Sequence, residues 1–191
     1  MWDDEDEERP AAGWVPLEGR GSLPYALLHG ESLVAVATWS LEEAGVELLD
    51  FTAPWTDVQA RGTALVLHDP LCPGTPASFI ARAVEAATSG DTVVAGVRPV
   101  TDTVKRVEGE VLGETVDRAG LVAVVSPVVL PASVVAGLDA LPVSDDLADL
   151  VAGLRAEHEV LLLEAPPEGR RVSDESDLRL VEALASSPDN P

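Results

Sequence analysis

The sequence predicts a three-layer α/β fold, in which helices cover both faces of a doubly wound, mostly parallel sheet and a β-ribbon projects from it. Two observations carry this prediction. Short apolar runs alternate along the chain with segments of helical periodicity, which is the pattern of parallel strands joined by helices. The 191 residues are 46% hydrophobic but only 4% aromatic, so Val, Leu and Ala must build a core of the size that one such domain needs.

The chain is predicted to begin with a tail, from Met1 to about Gly13. A run of acids at 3–8 repels itself and has no apolar partners, which favours disorder. A first strand is expected near Val15, where the chain becomes apolar. The next predicted elements are a helix over 32–44, a strand over 46–51 and a strand over 64–68.

A helix after residue 75 has signals at both ends. Thr75 can cap it, Pro76 suits its first turn, and Gly90 closes it. These elements and the later ones form a single domain over 14–186, followed by a short tail over 187–191. The later elements are a strand over 92–97, a ribbon over about 99–118 with Gly109 at its turn, a strand over 121–125, helices over 131–138 and 146–155, a strand over 160–163, and a helix that Ser173 or Asp174 caps and that reaches Ala185.

The charge of the chain excludes some classes of partner. Twelve cations stand against 34 acids, for a net charge of −22, so a nucleic-acid backbone would be repelled. No apolar run reaches membrane-spanning length, and the N-terminus is acidic where a signal peptide is basic. Cys72 is the sole cysteine, which leaves no disulfide framework. We therefore expect a soluble cytoplasmic protein without a nucleic-acid or membrane partner.

Polar residues at strand ends suggest where a ligand binds. Asp69 follows the predicted strand over 64–68, and Asp145 and Arg171 lie in loops that can converge on the same edge of the sheet. The ribbon adds a second cationic feature, because it carries Lys105, the one lysine of the chain, beside Arg106 and threonine hydroxyls. Such a cluster is a candidate phosphate site.

Four segments, in order and in register, resemble the 2-C-methyl-D-erythritol 4-phosphate cytidylyltransferase family of non-mevalonate isoprenoid biosynthesis. They are LVLHDPLCP at 65–73, PVTDTVKR at 99–106, TVDR at 115–118 and RVSDESDL at 171–178. The resemblance implies a nucleotide-diphospho-sugar transferase-like fold and a homodimer formed through the ribbon as a β-arm. It also implies transfer of a cytidylyl group from CTP to a phosphorylated polyol, with Mg²⁺ and release of pyrophosphate.

By this resemblance, the acceptor side of the site is largely kept. Asp69 would be the carboxylate near the metal and the acceptor, and Arg171 stands where the family has a catalytic lysine. Thr103 and Arg118 would hold the acceptor phosphate across the dimer, and Ser144 would contact the acceptor. The exchange of lysine for arginine replaces a point charge with a planar fork, so it is not a neutral change.

The donor side departs from the family. In the segment VPLEGRGSLPYA at 15–26, Gly19 and Gly21 align with a glycine-rich loop that covers the CTP phosphates, and Arg20 is the cation left there and a catalytic candidate. Glu18 adds a negative charge, and Tyr25 stands where the family has a lysine. The segment that holds the cytidine in the family has no counterpart, and Leu71-Cys72 replaces an Ala-Arg pair.

Plainer interpretations stand beside these. Asp69 can cap the loop that follows it, His68 can be a packed histidine, and Arg20 can be a solvent-exposed turn residue. Arg118 can be a surface charge. Asp145 and the acid after it can begin a helix instead of binding metal.

The leading interpretation is a divergent cytidylyltransferase homologue with a retained acceptor side and an eroded CTP side, in which the survival of catalysis is left open. One alternative is an active nucleotidyltransferase that converts CTP and methylerythritol phosphate into CDP-methylerythritol and pyrophosphate. Another is a non-enzymatic dimer, structural or a partner subunit of an intact homologue.

Overall fold

A computed structural model describes residues 11–50, 52–101, 104–109, 111–142 and 144–185. Ten strands, six helices and two 3₁₀ turns, Leu23–Tyr25 and Pro167–Gly169, lie in these ranges. The strands are β1 Ala11–Trp14, β2 Leu27–Leu28, β3 Glu31–Ser32, β4 Glu47–Leu48, β5 Ala64–Leu67, β6 Val93–Pro99, β7 Val104–Glu108, β8 Val111–Val116, β9 Val122–Leu130 and β10 Val160–Glu164. The helices are α1 Leu33–Glu43, α2 Trp55–Ala60, α3 Ala77–Gly90, α4 Ala132–Gly137, α5 Leu147–Leu154 and α6 Glu175–Ala185.

The main sheet has the strand order β10-β6-β9-β5-β1-β4. β1 is parallel to β4 and β5, and β10 is parallel to β6. β9 runs antiparallel to both of its neighbours, β5 and β6. All strands except β9 therefore point the same way, which confirms the prediction of a mostly parallel, doubly wound sheet.

Helices cover both faces of this sheet and create two hydrophobic cores. On one face, α1 and α3 pack Leu41 and Ile80 against Val66 and Val94. On the other face, α4 and α5 pack Val135 and Val151 against strands β5 and β9, and Val58 of α2 joins them. This is the predicted three-layer arrangement, built almost entirely from aliphatic side chains.

The predicted boundary of the N-terminal tail is wrong at its inner end. Residues 11–13 belong to β1, where Ala11 and Ala12 are buried and pair with Ala64 and Leu65 of β5. Two small side chains without a charge fit a strand in the middle of the sheet, although they give little apolar signal in the sequence. Residues 1–10 and 186–191 lie outside the described ranges.

Helix α3 differs from its predicted capping. The Thr75 hydroxyl donates to the Cys72 carbonyl oxygen at 2.9 Å, and the residue at the N-cap is Pro76, which has no side-chain capping bond. The helix ends at Gly90, but Asp91 is the residue in the left-handed conformation, with φ of 46°. Thr75 therefore stabilises the loop before the helix.

Strands β7 and β8 form a separate two-stranded antiparallel sheet, as the ribbon pattern predicts. Gly109 has φ of +64° in the turn between them, a conformation that glycine adopts without strain. At the base of this β-arm, the Val100 N–H donates to the Leu121 carbonyl oxygen at 3.2 Å. Thr103 lies outside the described residues, so its predicted contact with the acceptor stays a prediction.

The last helix is capped as predicted by one of the two candidates. Asp174 Oδ1 accepts from the N–H groups of Ser176 and Asp177 at 2.8 and 3.0 Å, the geometry of an N-cap. No helix in the described ranges is long and apolar enough to cross a membrane.

Candidate functional site

The carboxyl ends of the parallel strands bring the predicted site residues to one edge of the sheet. β1 leads into the loop that carries Arg20, and β5 ends just before Asp69. β6 contains Arg98 near its end, and β10 leads through the 3₁₀ turn to Arg171. Loops beyond the carboxyl ends of such strands are where this class of fold binds ligands.

Asp69 is held by two arginines. Arg20 forms a two-pronged pair with it, with Nε 2.8 Å from Oδ1 and Nη2 3.3 Å from Oδ2. Arg171 Nε donates to Oδ2 at 3.2 Å. The Leu71 N–H adds a fourth donor, 2.9 Å from Oδ1. The three residues predicted to be catalytic therefore lie together, in direct contact.

The pair between Arg20 and Asp69 is buried, because both side chains have 0% exposure. The Arg20 guanidinium also donates to the carbonyl oxygens of Glu18, at 2.7 Å, and Ser144, at 3.4 Å. Arg20 is thus an interior residue, and its interpretation as a solvent-exposed turn residue is wrong. Removing one partner from a buried ion pair leaves an unpaired charge, which costs about 3–5 kcal/mol.

Arg171 reaches Asp69 because its neighbours are fixed. The Val172 N–H donates to the Leu71 carbonyl oxygen at 2.7 Å, which ties the segment before α6 to the loop after β5. Val172 is fully buried in a small core with Leu33, Leu71 and Val181. The Arg171 side chain itself is 34% exposed, so its charge is available to a ligand while Arg20 is sealed inside.

The loop after β5 is fastened to β9 beneath this cluster. The Asp69 N–H donates to Ser126 Oγ at 2.6 Å, and the Ser126 N–H points to Cys72 Sγ at 3.5 Å. Burial and the negative charge of Asp69 raise the pKa of the Cys72 thiol to about 12, so this cysteine stays protonated and inert.

His68 lies fully buried beside the cluster. Its two ring nitrogens have no hydrogen-bond partner within the described ranges. Burial lowers the pKa of His68 to about 4, and the nearby Asp69 charge opposes this shift only in part. The side chain is therefore neutral at physiological pH and packs as an apolar group, as its plainer interpretation predicts.

The pocket beside the donor loop, the segment at 15–26, is small, and its largely apolar lining includes two acids. It has a volume of about 280 Å³ and is lined by residues 14–18, Arg20, Ser144 and Asp145. Glu18 and Asp145 contribute two carboxylates, while the guanidinium of Arg20 is already paired with Asp69. The described part of this pocket offers a triphosphate no unpaired cation.

Gly19 and Gly21 have different surroundings in the donor loop. Gly19 has φ of +72°, and a Cβ there would lie 2.6 Å from Asp145 Cβ and closer still to its carboxylate. Gly21 has φ of +58° but faces open space. Gly19 therefore permits the close approach of Asp145, and nothing beyond the turn itself requires Gly21.

A larger cavity opens on the other side of Arg171. It has a volume of about 620 Å³ and is lined by three arginines, Arg98, Arg170 and Arg171, with Asp146 as its acidic residue. Apolar side chains from β9 and α6 complete it. Its composition suits an anionic ligand with a carbon skeleton.

The structure brings some predicted acceptor residues near this cavity and not others. The Ser144 hydroxyl is bonded to the backbone of Asp146, and the Ser144 carbonyl oxygen binds Arg20. Asp146 caps α5, as the plainer interpretation predicts. Arg118 is exposed and donates to the carbonyl oxygen of Thr101, which lines the cavity rim.

Sequence reasoning missed Arg98 and Arg170. Arg98 follows a run of buried residues in β6, and Arg170 precedes Arg171, so neither stands out by spacing. The one available signal was their rarity, because a chain with 12 cations among 191 residues places few by chance at the end of a strand.

Asp69 was also predicted to bind Mg²⁺, and in the structure its carboxylate is occupied by other donors. Both carboxylate oxygens already accept hydrogen bonds from guanidinium or backbone donors. In the described part of the chain, no three or more His, Cys, Asp or Glu side chains form a group that could hold a metal ion. Magnesium at Asp69 stays a prediction.

Comparison with known sequences gives consistent matches. Residues 55–183 match the family model described as IspD, 2-C-methyl-D-erythritol 4-phosphate cytidylyltransferase. Curated proteins of that name are 35% identical in Corynebacterium efficiens, over 102 residues, and in Corynebacterium glutamicum, over 103 residues. Each alignment covers 53% of this chain, and the chain spans only about a third of these relatives, 36% and 37% of their lengths.

Solved structures share the fold. A 2-C-methyl-D-erythritol 4-phosphate cytidylyltransferase from Thermus thermophilus superposes with a TM-score of 0.65 at 23% identity, over 93% of this chain and 98% of that one. A 4-diphosphocytidyl-2C-methyl-D-erythritol synthase gives 0.67 at 17% identity, over 93% and 99% of the two chains. At these identities, the similarity establishes the shared fold.

Proposed function

Since the match over residues 55–183 places the chain in the 2-C-methyl-D-erythritol 4-phosphate cytidylyltransferase family, we propose that it is a member that binds the phosphorylated acceptor but does not hold CTP for reaction. The observation that carries this proposal is the state of Arg20. The one cation of the donor loop is buried in an ion pair with Asp69.

Nucleotidyl transfer needs positive charge around the reacting phosphorus. The acceptor phosphate attacks the α-phosphate of the nucleotide and pyrophosphate leaves, so catalysis consists of positioning and of stabilising charge on phosphate oxygens. In this chain the donor pocket presents the carboxylates of Glu18 and Asp145 instead. A triphosphate that entered it would meet like charges, with no unpaired guanidinium in the described residues to offset them.

The acceptor half has the opposite character. Arg171 uses Nε to bind Asp69, and within the described ranges its Nη1 and Nη2 have no hydrogen-bond acceptor. Asp69 thereby orients the guanidinium while its terminal donors remain free for a phosphate. Arg20 supports this arrangement from the interior by holding Asp69 in place. In this proposal Arg171 binds the acceptor phosphate, Asp69 and Arg20 position Arg171, and none of the three takes part in a chemical step.

One observation favours the active nucleotidyltransferase as a second candidate. Arg20, Asp69 and Arg171 converge in direct contact, although they come from three separate parts of the sequence. In an active enzyme, Arg20 would exchange Asp69 for the phosphates of CTP. That exchange would take the buried Arg20 partner away from the Asp69 carboxylate. Because a buried charge without its partner is energetically costly, this argues against the exchange.

Two ligand titrations and one activity assay test the proposal. We expect 2-C-methyl-D-erythritol 4-phosphate to raise the melting temperature of the protein, since a ligand at 100 times its Kd stabilises the folded state by about 2.7 kcal/mol. CTP with Mg²⁺ is expected to give no such shift. With both substrates present, pyrophosphate release should stay at the level of the blank.

The Arg171→Gln variant should lose the shift produced by the phosphorylated polyol. Arg179→Gln is the matched control, because Arg179 is 76% exposed on α6 and its ion pair within the described ranges is with the exposed Glu175. Release of pyrophosphate above the blank would contradict the proposal in favour of the active enzyme. No response to either ligand from a protein that sediments as a dimer would favour the structural alternative.

A further inference from the structure

The cavity of about 620 Å³ beside Arg171 is also lined by Arg98 and Arg170, two arginines that sequence reasoning missed. We propose that Arg98 and Arg170 form, with Arg171, an anion-binding wall that selects a phosphate monoester over the uncharged polyol of the same skeleton. This inference rests on the proposed function, because it names the residues that would determine acceptor specificity. The three arginines come from β6 and from the segment that follows the 3₁₀ turn at 167–169.

The concentration of positive charge in this cavity is unusual for the chain. Three of its 14 lining residues are arginines, whereas the whole sequence holds 12 cations in 191 residues and a net charge of −22. Asp177 and Asp69 pair with Arg170 and Arg171, which leaves Arg98 as the lining arginine without an ion pair in the described ranges. An anionic ligand in the cavity would contribute the charge that Arg98 lacks.

Arg98 has no carboxylate partner. Its Nη1 donates to the carbonyl oxygen of Ala165 at 3.0 Å, and in the described ranges it forms no ion pair. The bond fixes the side chain over the start of the loop after β10 without neutralising its charge. Arg98 is thus a held, uncompensated guanidinium at the cavity wall.

Arg170 is only partly satisfied. Its Nη2 lies 3.3 Å from Asp177 Oδ1, which is a long ion pair. Its Nε is buried and has no hydrogen-bond acceptor among the residues described. The Arg170 side chain lines the cavity and is 36% exposed, so its guanidinium can approach an anion there while its pair with Asp177 stays long.

The charge of the lining favours an anion. Asp146 is the one acid among the lining residues, and its Oδ1 already accepts the Ala148 N–H at 2.7 Å. Arg170 and Arg171 pair with Asp177 and Asp69, which lie outside the lining, whereas Arg98 forms no ion pair within the described ranges. A phosphate monoester would supply the carboxylate-like charge that Arg98 lacks and would accept further donors from Arg170 and Arg171.

The remaining walls suit a short carbon skeleton. Val122 and Leu180 are 42% exposed each and also line the cavity. The adjoining cavity, which Arg98 also borders, contains Glu164 and Glu168. That lining has these two carboxylates against Arg82 and Arg98, whereas the cavity beside Arg171 has three arginines and Asp146 as its acid and is therefore the more favourable for an anion.

Isothermal titration calorimetry on the full chain tests the inference with three probes. These are 2-C-methyl-D-erythritol 4-phosphate, unphosphorylated 2-C-methyl-D-erythritol and inorganic phosphate. The wild type should bind the phosphorylated polyol most tightly and inorganic phosphate measurably. Arg98→Gln and Arg170→Gln should each weaken both phosphate-containing probes by roughly 10- to 100-fold, the scale of a lost charge-assisted hydrogen bond.

Matched variants separate the anion contact from a change in folding. Arg98→Lys keeps the charge and should recover part of the affinity that Arg98→Gln loses. Arg179→Gln should bind all three probes like the wild type. Equal affinity of the wild type for the phosphorylated and unphosphorylated polyol would overturn the inference, as would unchanged phosphate binding in both glutamine variants.

The inference and the proposed function can fail separately. If pyrophosphate release shows an active enzyme, Arg98→Gln and Arg170→Gln should raise KM for the acceptor with little change in kcat, and the inference stands while the proposed function falls. If the wild type binds the phosphorylated polyol but both variants keep its affinity, the proposed function stands and the inference falls.

Discussion

His68 makes the stability of the protein depend on pH at the scale of a single residue. Burial lowers its pKa from 6.5 to about 4. Between these values the unfolded chain binds a proton that the folded protein excludes, so stability is complete above about pH 6.5 and falls as the pH drops toward 4. We expect His68 alone to cost about 2 kcal/mol of unfolding free energy between pH 7 and pH 5.

Urea denaturation at pH 7 and at pH 5 measures this effect. The many carboxylates of the chain also titrate in acid, so the comparison is with His68→Leu, which lacks the ionisable ring. The wild type should lose about 2 kcal/mol more than this variant between the two pH values. Equal losses in the two proteins would show that His68 does not titrate in this way.

Sequence reasoning located the residues of the Asp69 cluster but not their pairing. Arg20 lies 49 residues from Asp69 in the sequence, and a glycine-flanked arginine looks the same whether it faces a phosphate or a buried carboxylate. Only the three-dimensional approach of the donor loop to β5 distinguishes the two. Arg98 and Arg170 were missed for the same reason. They come from segments that are distant in the sequence, so the cavity wall that they form leaves no local sequence pattern.

At the scale of elements, the donor loop depends on a glycine that lets Asp145 approach. Gly19→Ala should destabilise the protein by about 2–3 kcal/mol, because the new methyl group adds a steric clash to the strain of a positive φ. Gly21→Ala is the internal control, since it has a similar φ but open space around it. It should cost only the backbone strain, about 1–2 kcal/mol.

Thermal or urea denaturation of the two variants gives the difference directly. A larger loss for Gly19→Ala measures the contact between the donor loop and the loop that carries Asp145. Identical losses would mean that Asp145 moves aside freely, and that the donor loop is not held against it.

The antiparallel direction of β9 follows from the elements that connect it to β6. The sequence predicts a strand over 121–125, and the structure has one at Val122–Leu130, but it is exposed at its start and buried only from Val125 onward. The composition of its buried part would also suit a parallel strand. The distinguishing fact is the connection. The described residues between β6 and β9 form the β-arm and no crossover helix, and parallel neighbours require a crossover. The antiparallel direction could therefore have been inferred from the absence of a helical pattern there.

At the scale of the whole molecule, the β-arm predicts an assembly. Strands β7 and β8 pair only with each other among the residues described, and an isolated two-stranded hairpin is marginally stable in water. The resemblance to the family implies that the arm lies against a second copy. We therefore predict that the wild type sediments as a dimer.

Replacing residues 102–118 with a short glycine linker should give a monomer in sedimentation velocity. The bond between Val100 and Leu121 at the base of the arm leaves a short gap to close, and the main sheet does not include the arm. A wild type that sediments as a monomer would contradict the prediction, and so would a dimer that survives loss of the arm.

The buried ion pair between Arg20 and Asp69 also affects which residues natural selection preserves in this chain. A carboxylate that neutralises an interior guanidinium is needed for folding, whether or not any reaction takes place beside it. Selection for a stable protein alone would then preserve the aspartate of the LVLHDP segment, whether or not the chain catalyses a reaction. An intact aspartate in that segment is therefore evidence of structural dependence and does not by itself indicate catalysis.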